Sequence, residues 1–340
     1  MTGLPQGVCN IRDAVATGEA SAVEICQAYL NRIDTVDKAL NAFNQIEYDT
    51  ALERAAAIDR ERVPNDSRLL LGVPIAIKDN ICTRGIRTTG SSRILESWIP
   101  PYDATVIERL QNAGAIVIGK TNCDEFAMGS SNENSAFGPV RNPWDLERTP
   151  GGSSGGSAVA VATEMAAASL GSDTGGSVRQ PAALCGVVGL KPTYGRVSRY
   201  GLLAFASSLD QIGPLTRTVT DAAQMLSVIA GPDPSDSTTS DEPIPNYLKS
   251  LTGKLDDLRI GVPRKILAEG VDVKVLQAFD ESLETLSSLG VKIREIELPH
   301  AQYAIPTYYL IATAEASSNL ARYDGVRYTS RVDLDPKVAD

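Results

Sequence analysis

The sequence has few of the residues that metal and disulfide chemistry requires. It contains one histidine, His300, among 340 residues, and one histidine cannot build a His-rich metal site. Its five cysteines are an odd number and include no Cys-x-x-Cys pair, which disfavours both a disulfide framework and a zinc ribbon. We therefore expect neither a metal nor another cofactor in this chain.

Positive charge and long apolar runs are also scarce. The net charge is −10, so a basic surface that grips nucleic acid is not expected. No segment reaches the roughly 20 apolar residues of a membrane span. Residues 1–10 lack the basic and apolar regions of a secretory signal, so we expect a cytoplasmic protein without membrane contact.

Hydrophobic periodicity predicts alternating helices and strands. Ser21 and Glu24 form a capping-box pattern that starts a helix, and a second helix is predicted over 50–62. An apolar run over 69–78 ends in a predicted strand over 73–78. The remaining predicted elements are a helix over 104–113 capped by Asp103 and ended by Gly114, a strand over 115–119, a helix over 158–168, strands over 169–173, 258–262 and 291–296, and a helix over 273–289. This alternation favours an α/β sheet covered by helices.

Residues 114–121 match the string of a nucleotide-binding P-loop. In a P-loop the four residues between the glycines form an open loop after a strand. Here these residues are Ala115, Ile116, Val117 and Ile118, an apolar run that predicts the strand itself. We therefore reject the nucleotide-binding interpretation.

Two glycine- and serine-rich turns stand out, at 151–157 and 173–177. Glycine lets backbone amides converge, and such a group of amides can stabilise a developing oxyanion. A flexible linker has a similar composition, but the apolar segments beside both turns disfavour mobility. The turns therefore favour a serine nucleophile beside an anion-binding backbone.

A nucleophilic serine needs a base, and Lys78 is the best candidate. It ends an apolar run, where burial would lower its pKa, but a lysine at a strand end can equally extend into solvent. His300 follows Leu298 and Pro299 and is interpreted as a surface or packing residue. Cys82 and Cys123 lack a glycine-rich turn beside them, which makes a thiol nucleophile the weaker alternative.

The segments 72–80, 151–157 and 171–181 together resemble the amidase signature family. This resemblance implies an α/β fold with a central mixed sheet covered by helices on both faces, beneath an N-terminal helical layer. It also implies a Ser–cis-Ser–Lys triad. Residue by residue, Ser177 matches the nucleophile, Ser153 the bridging serine with its cis peptide, and Lys78 the base. The resemblance places the oxyanion hole at the backbone amides of Thr174, Gly175 and Gly176.

Three further stretches, 126–144, 196–214 and 306–328, are similar to the amidase subunits of tRNA-dependent amidotransferases, a branch of this family. The resemblance implies glutamine hydrolysis, with the ammonia delivered to a partner subunit that uses ATP and magnesium to amidate Glu-tRNA(Gln) or Asp-tRNA(Asn). Two other subunits would complete a heterotrimer, and the partner would hold most of the misacylated tRNA. The alternatives are a stand-alone amidase acting on small amides and an inactive scaffold subunit.

The same resemblance assigns glutamine-binding residues and domain limits. Substrate contacts are expected from Met128, Gly129, Ser130 and Tyr308, with Tyr309 as the alternative to Tyr308. Chains of the family continue beyond residue 340, so we expect one amidase domain over 1–340 that lacks its C-terminal part and the Arg and Asp that hold the α-carboxylate and α-amino groups of glutamine. Its expected parts are the helical layer (1–65), the signature core (66–230), a surface loop (231–246) and a remaining α/β part (247–340).

Overall fold

The computed structural model describes residues 4–64, 66–255, 257–267 and 270–328. These residues fall into two compact units, with residues 249–311 forming the second and the remainder forming the first. The boundary at Ile311 and Ala312 falls inside one helix. The expectation of a single domain over 1–340 stays a prediction.

The first unit is built on a six-stranded mixed sheet. Its strands are β1 (Phe43–Ile46), β2 (Pro74–Lys78), β3 (Ile116–Thr121), β4 (Ala168–Asp173), β5 (Val188–Gly189) and β6 (Gln211–Thr216). The strand order is β1-β3-β2-β4-β6-β5, with β2 parallel to both β3 and β4 and the other pairs antiparallel. Every residue of β2, β4 and β6 is buried, so both faces of the central sheet are covered. The predicted α/β fold with a mixed sheet is confirmed.

Helices of the first unit supply this cover. They are α1 (Val8–Thr17), α2 (Ala22–Leu40), α3 (Tyr48–Glu61), α4 (Thr105–Asn112), α5 (Gly155–Ala162), α6 (Arg179–Cys185) and α7 (Val219–Ile229). The capping box at the start of α2 is present, with Ser21 accepting from the amide of Glu24 and Glu24 accepting from the amide of Ser21. Small residues dominate α5, which lets it pack directly on the sheet.

The second unit contains a short parallel pair and its helices. Its elements are β7 (Arg259–Val262), α8 (Arg264–Leu267), α9 (Val273–Ser288), β8 (Lys292–Glu295) and the first part of α10 (Ala304–Leu320). The strands and the long helix agree with the predictions for 258–262, 273–289 and 291–296. Residues 231–246 contain no helix or strand, as expected of a loop.

Two local predictions were wrong. The helix predicted over 158–168 is α5, which starts at the glycine turn and ends at Ala162 because Glu164 adopts a positive φ of 60°. Asp103 does not cap α4: the N-cap is Ala104 without a side-chain bond, and Asp103 accepts from the amide of Arg84 at 2.7 Å. The residues of the rejected P-loop string, 114–121, lead into strand β3 and form it. Lys120 is fully buried in that strand.

Candidate active site

The candidate site lies where parallel strands end. Lys78 is the last residue of β2, and Ser172 is the last but one of the adjacent strand β4. Because β2 and β4 run parallel, their carboxyl ends meet at the same edge of the sheet. The turn that carries Ser153 leads into α5, and the turn that carries Ser177 follows β4. The fold thus brings both predicted serines to the end of the strand that carries the predicted base.

Lys78 is fully buried among hydroxyl groups. Its Nζ lies 2.7 Å from Ser153 Oγ, 3.0 Å from Ser154 Oγ and 3.0 Å from Ser172 Oγ. The carbonyl oxygen of Ser172 lies 3.3 Å away. Of the two outcomes left open by the sequence, the structure shows the buried lysine and not the solvent-exposed one.

Burial lowers the pKa of Lys78 to about 8. Desolvation is the cause, because a charged ammonium is disfavoured away from water. The titratable groups around it oppose this effect and favour the charged form: Cys123, Asp124, Asp173 and Asp210. A base with a pKa near neutrality can accept a proton and return it within one catalytic cycle.

Ser153 follows a cis peptide bond from Gly152, as the family resemblance implied. Its backbone is held by Asp124, whose amide donates to the Ser153 carbonyl at 3.3 Å. The Asp124 carboxylate lies so close to Gly152 that a β-carbon there would stand 2.2 Å from Oδ2. Only glycine fits at position 152 in this arrangement.

Ser177 lies at the end of the second turn and is 8% exposed. Its carbonyl accepts a hydrogen bond from the amide of Ser154 at 3.1 Å. Ser154, which follows the bridging serine, is therefore hydrogen-bonded to the candidate nucleophile through the main chains of both residues. The side chains of Lys78 and Ser153 are thus in direct contact, and the main chain of Ser177 is joined to the segment that carries Ser153.

The turn before Ser177 is shaped by a buried carboxylate. Asp173 accepts from the amides of Gly176 at 2.8 Å and Val178 at 3.0 Å, and from the guanidinium of Arg179 at 2.9 and 3.0 Å. Although burial alone would raise its pKa, the bonds from Arg179 and these amides hold the pKa of Asp173 below its ordinary value. The Gly176 amide is thus engaged with Asp173, which disagrees with its predicted place in the oxyanion hole.

Thr174 and Gly175 retain amides suited to that hole, since neither amide has an acceptor among the described residues. The Thr174 hydroxyl donates to Asp210 at 2.6 Å, and Asp210 in turn accepts from the amides of Phe205 and Ala206. This anchoring fixes the first residue of the turn. The oxyanion-stabilising role itself stays a prediction.

The predicted substrate wall at 128–130 lies beside the Gly152 turn. Gly129 is in close contact with Asp124, the residue that also touches Gly152. Met128 is half-buried against an apolar cluster of Cys82, Leu95, Phe126 and Leu203, and Ser130 is exposed. The part of this segment in walling the substrate site stays a prediction.

Tyr308 and Tyr309 belong to the second unit, where their rings meet edge to face at 5.5 Å. Tyr308 is half-buried and Tyr309 is 61% exposed. Their part in glutamine binding stays a prediction. His300 lies in the same unit, where it is exposed and 6.5 Å from the Tyr303 ring.

The cysteines are poor nucleophiles here. Burial raises the pKa of Cys123 to about 11 and that of Cys82 above its ordinary value, so little thiolate forms near neutral pH. Within the described ranges, no group of three or more His, Cys, Asp or Glu side chains is arranged to hold a metal ion. No helix of the described residues is both long and apolar enough to cross a membrane.

Sequence reasoning missed several residues that build the site: Asn80, Asp124, Ser154, Ser172, Arg179 and Asp210. Four of them, Asn80, Ser154, Ser172 and Arg179, lie inside the segments that carried the family resemblance. Ser154 and Ser172 adjoin the predicted triad and turn, and parallel strands place position 172 opposite the end of β2. Asp124 and Asp210 reach the site from distant loops, and no pattern in the sequence indicates that arrangement.

Comparisons with known proteins identify related chains. The amidase family model matches residues 24–339. The A subunit of the glutamyl-tRNA(Gln) amidotransferase of Roseiflexus sp. (strain RS-1) is 58% identical over 321 residues, which cover 94% of this chain and 66% of that protein. The chain thus spans about two thirds of the length of such relatives.

Solved structures give the same result. The A subunit of the glutamyl-tRNA(Gln) amidotransferase from Thermotoga maritima superimposes with a TM-score of 0.80 at 50% identity, covering 88% of this chain and 63% of that one. The peptide amidase from Stenotrophomonas maltophilia superimposes with a TM-score of 0.84 at 36% identity, covering 93% and 67%. Together with the buried lysine and its serine partners, these similarities show that the chain belongs to the amidase family.

Proposed function

We propose that this chain is the glutamine-hydrolysing subunit of a tRNA-dependent amidotransferase. The observation that carries the proposal is the 2.7 Å contact between buried Lys78 and Ser153, with Ser177 bonded to the neighbouring Ser154. The identity to the A subunits of glutamyl-tRNA(Gln) amidotransferases supports the choice of glutamine as the amide substrate.

In the proposed reaction, neutral Lys78 accepts a proton from Ser153 while Ser153 accepts the proton of Ser177. Ser177 Oγ attacks the carboxamide carbon of glutamine, and the amides of the Thr174–Gly175 turn stabilise the oxyanion. The protonated lysine returns its proton through Ser153 to the leaving nitrogen, which departs as ammonia. Water then cleaves the ester by the same proton route and releases glutamate.

The ammonia would be used by partner subunits. In the proposed complex, a second subunit uses ATP and magnesium to activate the γ-carboxyl of Glu-tRNA(Gln), or the β-carboxyl of Asp-tRNA(Asn), and a third completes a cytoplasmic heterotrimer. The net charge of −10 fits a chain that leaves most of the tRNA contact to its partner.

A stand-alone amidase is the second candidate function, favoured by the similarity to a peptide amidase. Two assays distinguish the two candidate functions. One measures the release of glutamate and ammonia from glutamine, and the other measures the release of ammonia from peptide amides. Each assay is run with and without partner subunits, ATP and Glu-tRNA(Gln). We expect glutamine hydrolysis that rises when the partners and their substrates are present. Activity on peptide amides that the partners leave unchanged would favour the stand-alone amidase. Absence of both activities would favour the inactive scaffold.

A further inference from the structure

We propose that Ser172 and Asn80 are positioning residues that aim the lone pair of neutral Lys78 at Ser153. The inference rests on the proposed serine–lysine chemistry and adds two residues to it. Neither residue is a nucleophile or a base. Each acts through the orientation of the amine.

The hydrogen bonds of Lys78 match the three N–H groups of an ammonium. One N–H is directed to Ser153, one to Ser154 and one to Ser172, through its hydroxyl at 3.0 Å or its carbonyl at 3.3 Å. The Ser154 hydroxyl donates to the Ser172 carbonyl at 3.2 Å, so toward Lys78 its oxygen acts as an acceptor. The charged form is therefore fully satisfied.

The neutral amine keeps two N–H groups and gains a lone pair, so one of the three directions must change from donating to accepting. The proposed reaction requires this direction to be Ser153, because in that reaction Ser153 accepts the proton of Ser177. Ser154 and Ser172 achieve this by holding the two remaining N–H groups. If Ser172 ceased to accept, the amine could rotate and direct its lone pair elsewhere.

Asn80 supports Ser172 in its accepting state. Its side-chain Nδ2 donates to Ser172 Oγ at 2.9 Å, and its main-chain carbonyl is fixed by the amide of Leu203 at 2.8 Å. Asn80 is 1% exposed, and its Oδ1 has no partner among the described residues. A buried side-chain amide with an unpaired oxygen lowers the stability of the fold. We therefore infer that the single side-chain hydrogen bond of Asn80 serves the function of the site.

The fold accounts for this pairing. Asn80 lies two residues beyond the end of β2, and Ser172 lies on the adjacent parallel strand β4. The two residues therefore flank Lys78 from its own loop and from the neighbouring strand.

The test uses covalent labelling of Ser177 by a fluorophosphonate, followed by intact mass, as a function of pH. In labelling, Ser177 Oγ bonds to phosphorus, fluoride leaves, and the serine proton passes to Lys78. Because the probe needs no glutamine, failure of the glutaminase proposal and failure of this inference give different results. Ser177→Ala is the blank, and a thermal melt checks folding of every variant.

We expect Ser172→Ala to label about tenfold more slowly, with the midpoint of its pH profile below that of the wild type, because an acceptor that stabilises the ammonium is lost. Ser172→Thr keeps the hydroxyl and should retain the wild-type rate and midpoint. Asn80→Ala should also slow labelling, and the double variant should be no slower than Ser172→Ala alone, since Asn80 acts through Ser172.

A wild-type rate and midpoint in Ser172→Ala would overturn the proposal. If labelling of the double variant were slowed by the product of the two single effects, the role of Asn80 would be overturned. If Ser172→Ala does not fold, Asn80→Ala and Ser172→Thr provide the test. Slower labelling of Asn80→Ala together with a wild-type pH profile of Ser172→Thr would support the proposal. Any other combination of results would overturn the proposal.

Discussion

The main-chain amide of Ser154 donates a hydrogen bond to the main-chain carbonyl of Ser177 at 3.1 Å. This bond joins two glycine-rich turns that are far apart in the chain. It fixes the distance between the segment of the bridging serine and that of the nucleophile without using either serine side chain. Both hydroxyls therefore remain available for proton transfer.

The first prediction concerns the nucleophile. Ser177→Ala should lower glutamine hydrolysis on the order of 10⁴-fold while the melting temperature stays close to that of the wild type. Ammonia-dependent amidation of Glu-tRNA(Gln) by the assembled complex should persist, because ammonia bypasses Ser177. Ser227→Ala, on α7, is the matched control and should be fully active. A glutamyl adduct that still forms on Ser177→Ala would contradict the assignment.

The second prediction concerns pH. The base must be neutral to act, so the rate should rise with pH through about 8, the pKa of Lys78, and level off above it. Lys78→Arg should be inactive across this range because a guanidinium is not deprotonated. The profile of kcat against pH measures both effects, with Lys38→Arg on α2 as the control. A profile that falls as pH increases from 7 to 9 would exclude Lys78 as the base.

The sequence allows the triad to be predicted, but not its surroundings. Lys78, Ser153 and Ser177 lie in local motifs, so the sequence was sufficient to propose them, and the structure places Lys78 against Ser153 while the three catalytic roles stay predictions. Buried Lys78 could not be distinguished from an exposed lysine by spacing, because burial depends on Ser154 and Ser172 from other elements.

The strands were easier to predict than the ends of the helices. Apolar runs are local, and β2, β3 and β4 all lie close to their predicted limits. The cap of α4 depended on a contact distant in sequence, since Asp103 accepts from the amide of Arg84 instead of capping its own helix, and α5 ends where Glu164 adopts a positive φ. Tertiary contacts decide such termini, and no local pattern indicates them.

The third prediction concerns Asp173. Asp173→Asn should lose about 1–3 kcal/mol of unfolding free energy, because the buried acceptor of Gly176, Val178 and Arg179 loses its charge. The folded pKa of Asp173 lies below its unfolded value, so its stabilisation is present above the unfolded pKa and lost as pH falls through the folded pKa. The difference in unfolding free energy between wild type and variant should therefore shrink toward acidic pH. Urea unfolding at neutral and acidic pH measures it, and a difference independent of pH would show that charge is not the cause.

The last prediction concerns Gly152. A β-carbon at this position would stand 2.2 Å from Asp124 Oδ2 and 2.9 Å from the main-chain nitrogen of Asn132. The Asp124 carboxylate cannot move away freely, because it accepts from the amides of Asn132 and Asn134 at 3.0 and 3.3 Å. Gly152→Ala must therefore displace the turn that carries Ser153. We expect a loss of about 1–3 kcal/mol in unfolding free energy, together with a large loss of Ser177 labelling.

Gly261→Ala is the matched control for this substitution. A β-carbon there would stand 2.8 Å from the end of the Ile296 side chain, which can change rotamer, whereas the backbone around Gly152 cannot yield. Gly261→Ala should leave labelling of Ser177 unchanged. Equal labelling by both variants would show that the contact between Asp124 and Gly152 does not position Ser153. A labelling defect confined to Gly152→Ala would instead show that the close approach of Asp124 and of the main chain at Asn132 sets the position of the bridging serine, since the two variants add the same methyl group.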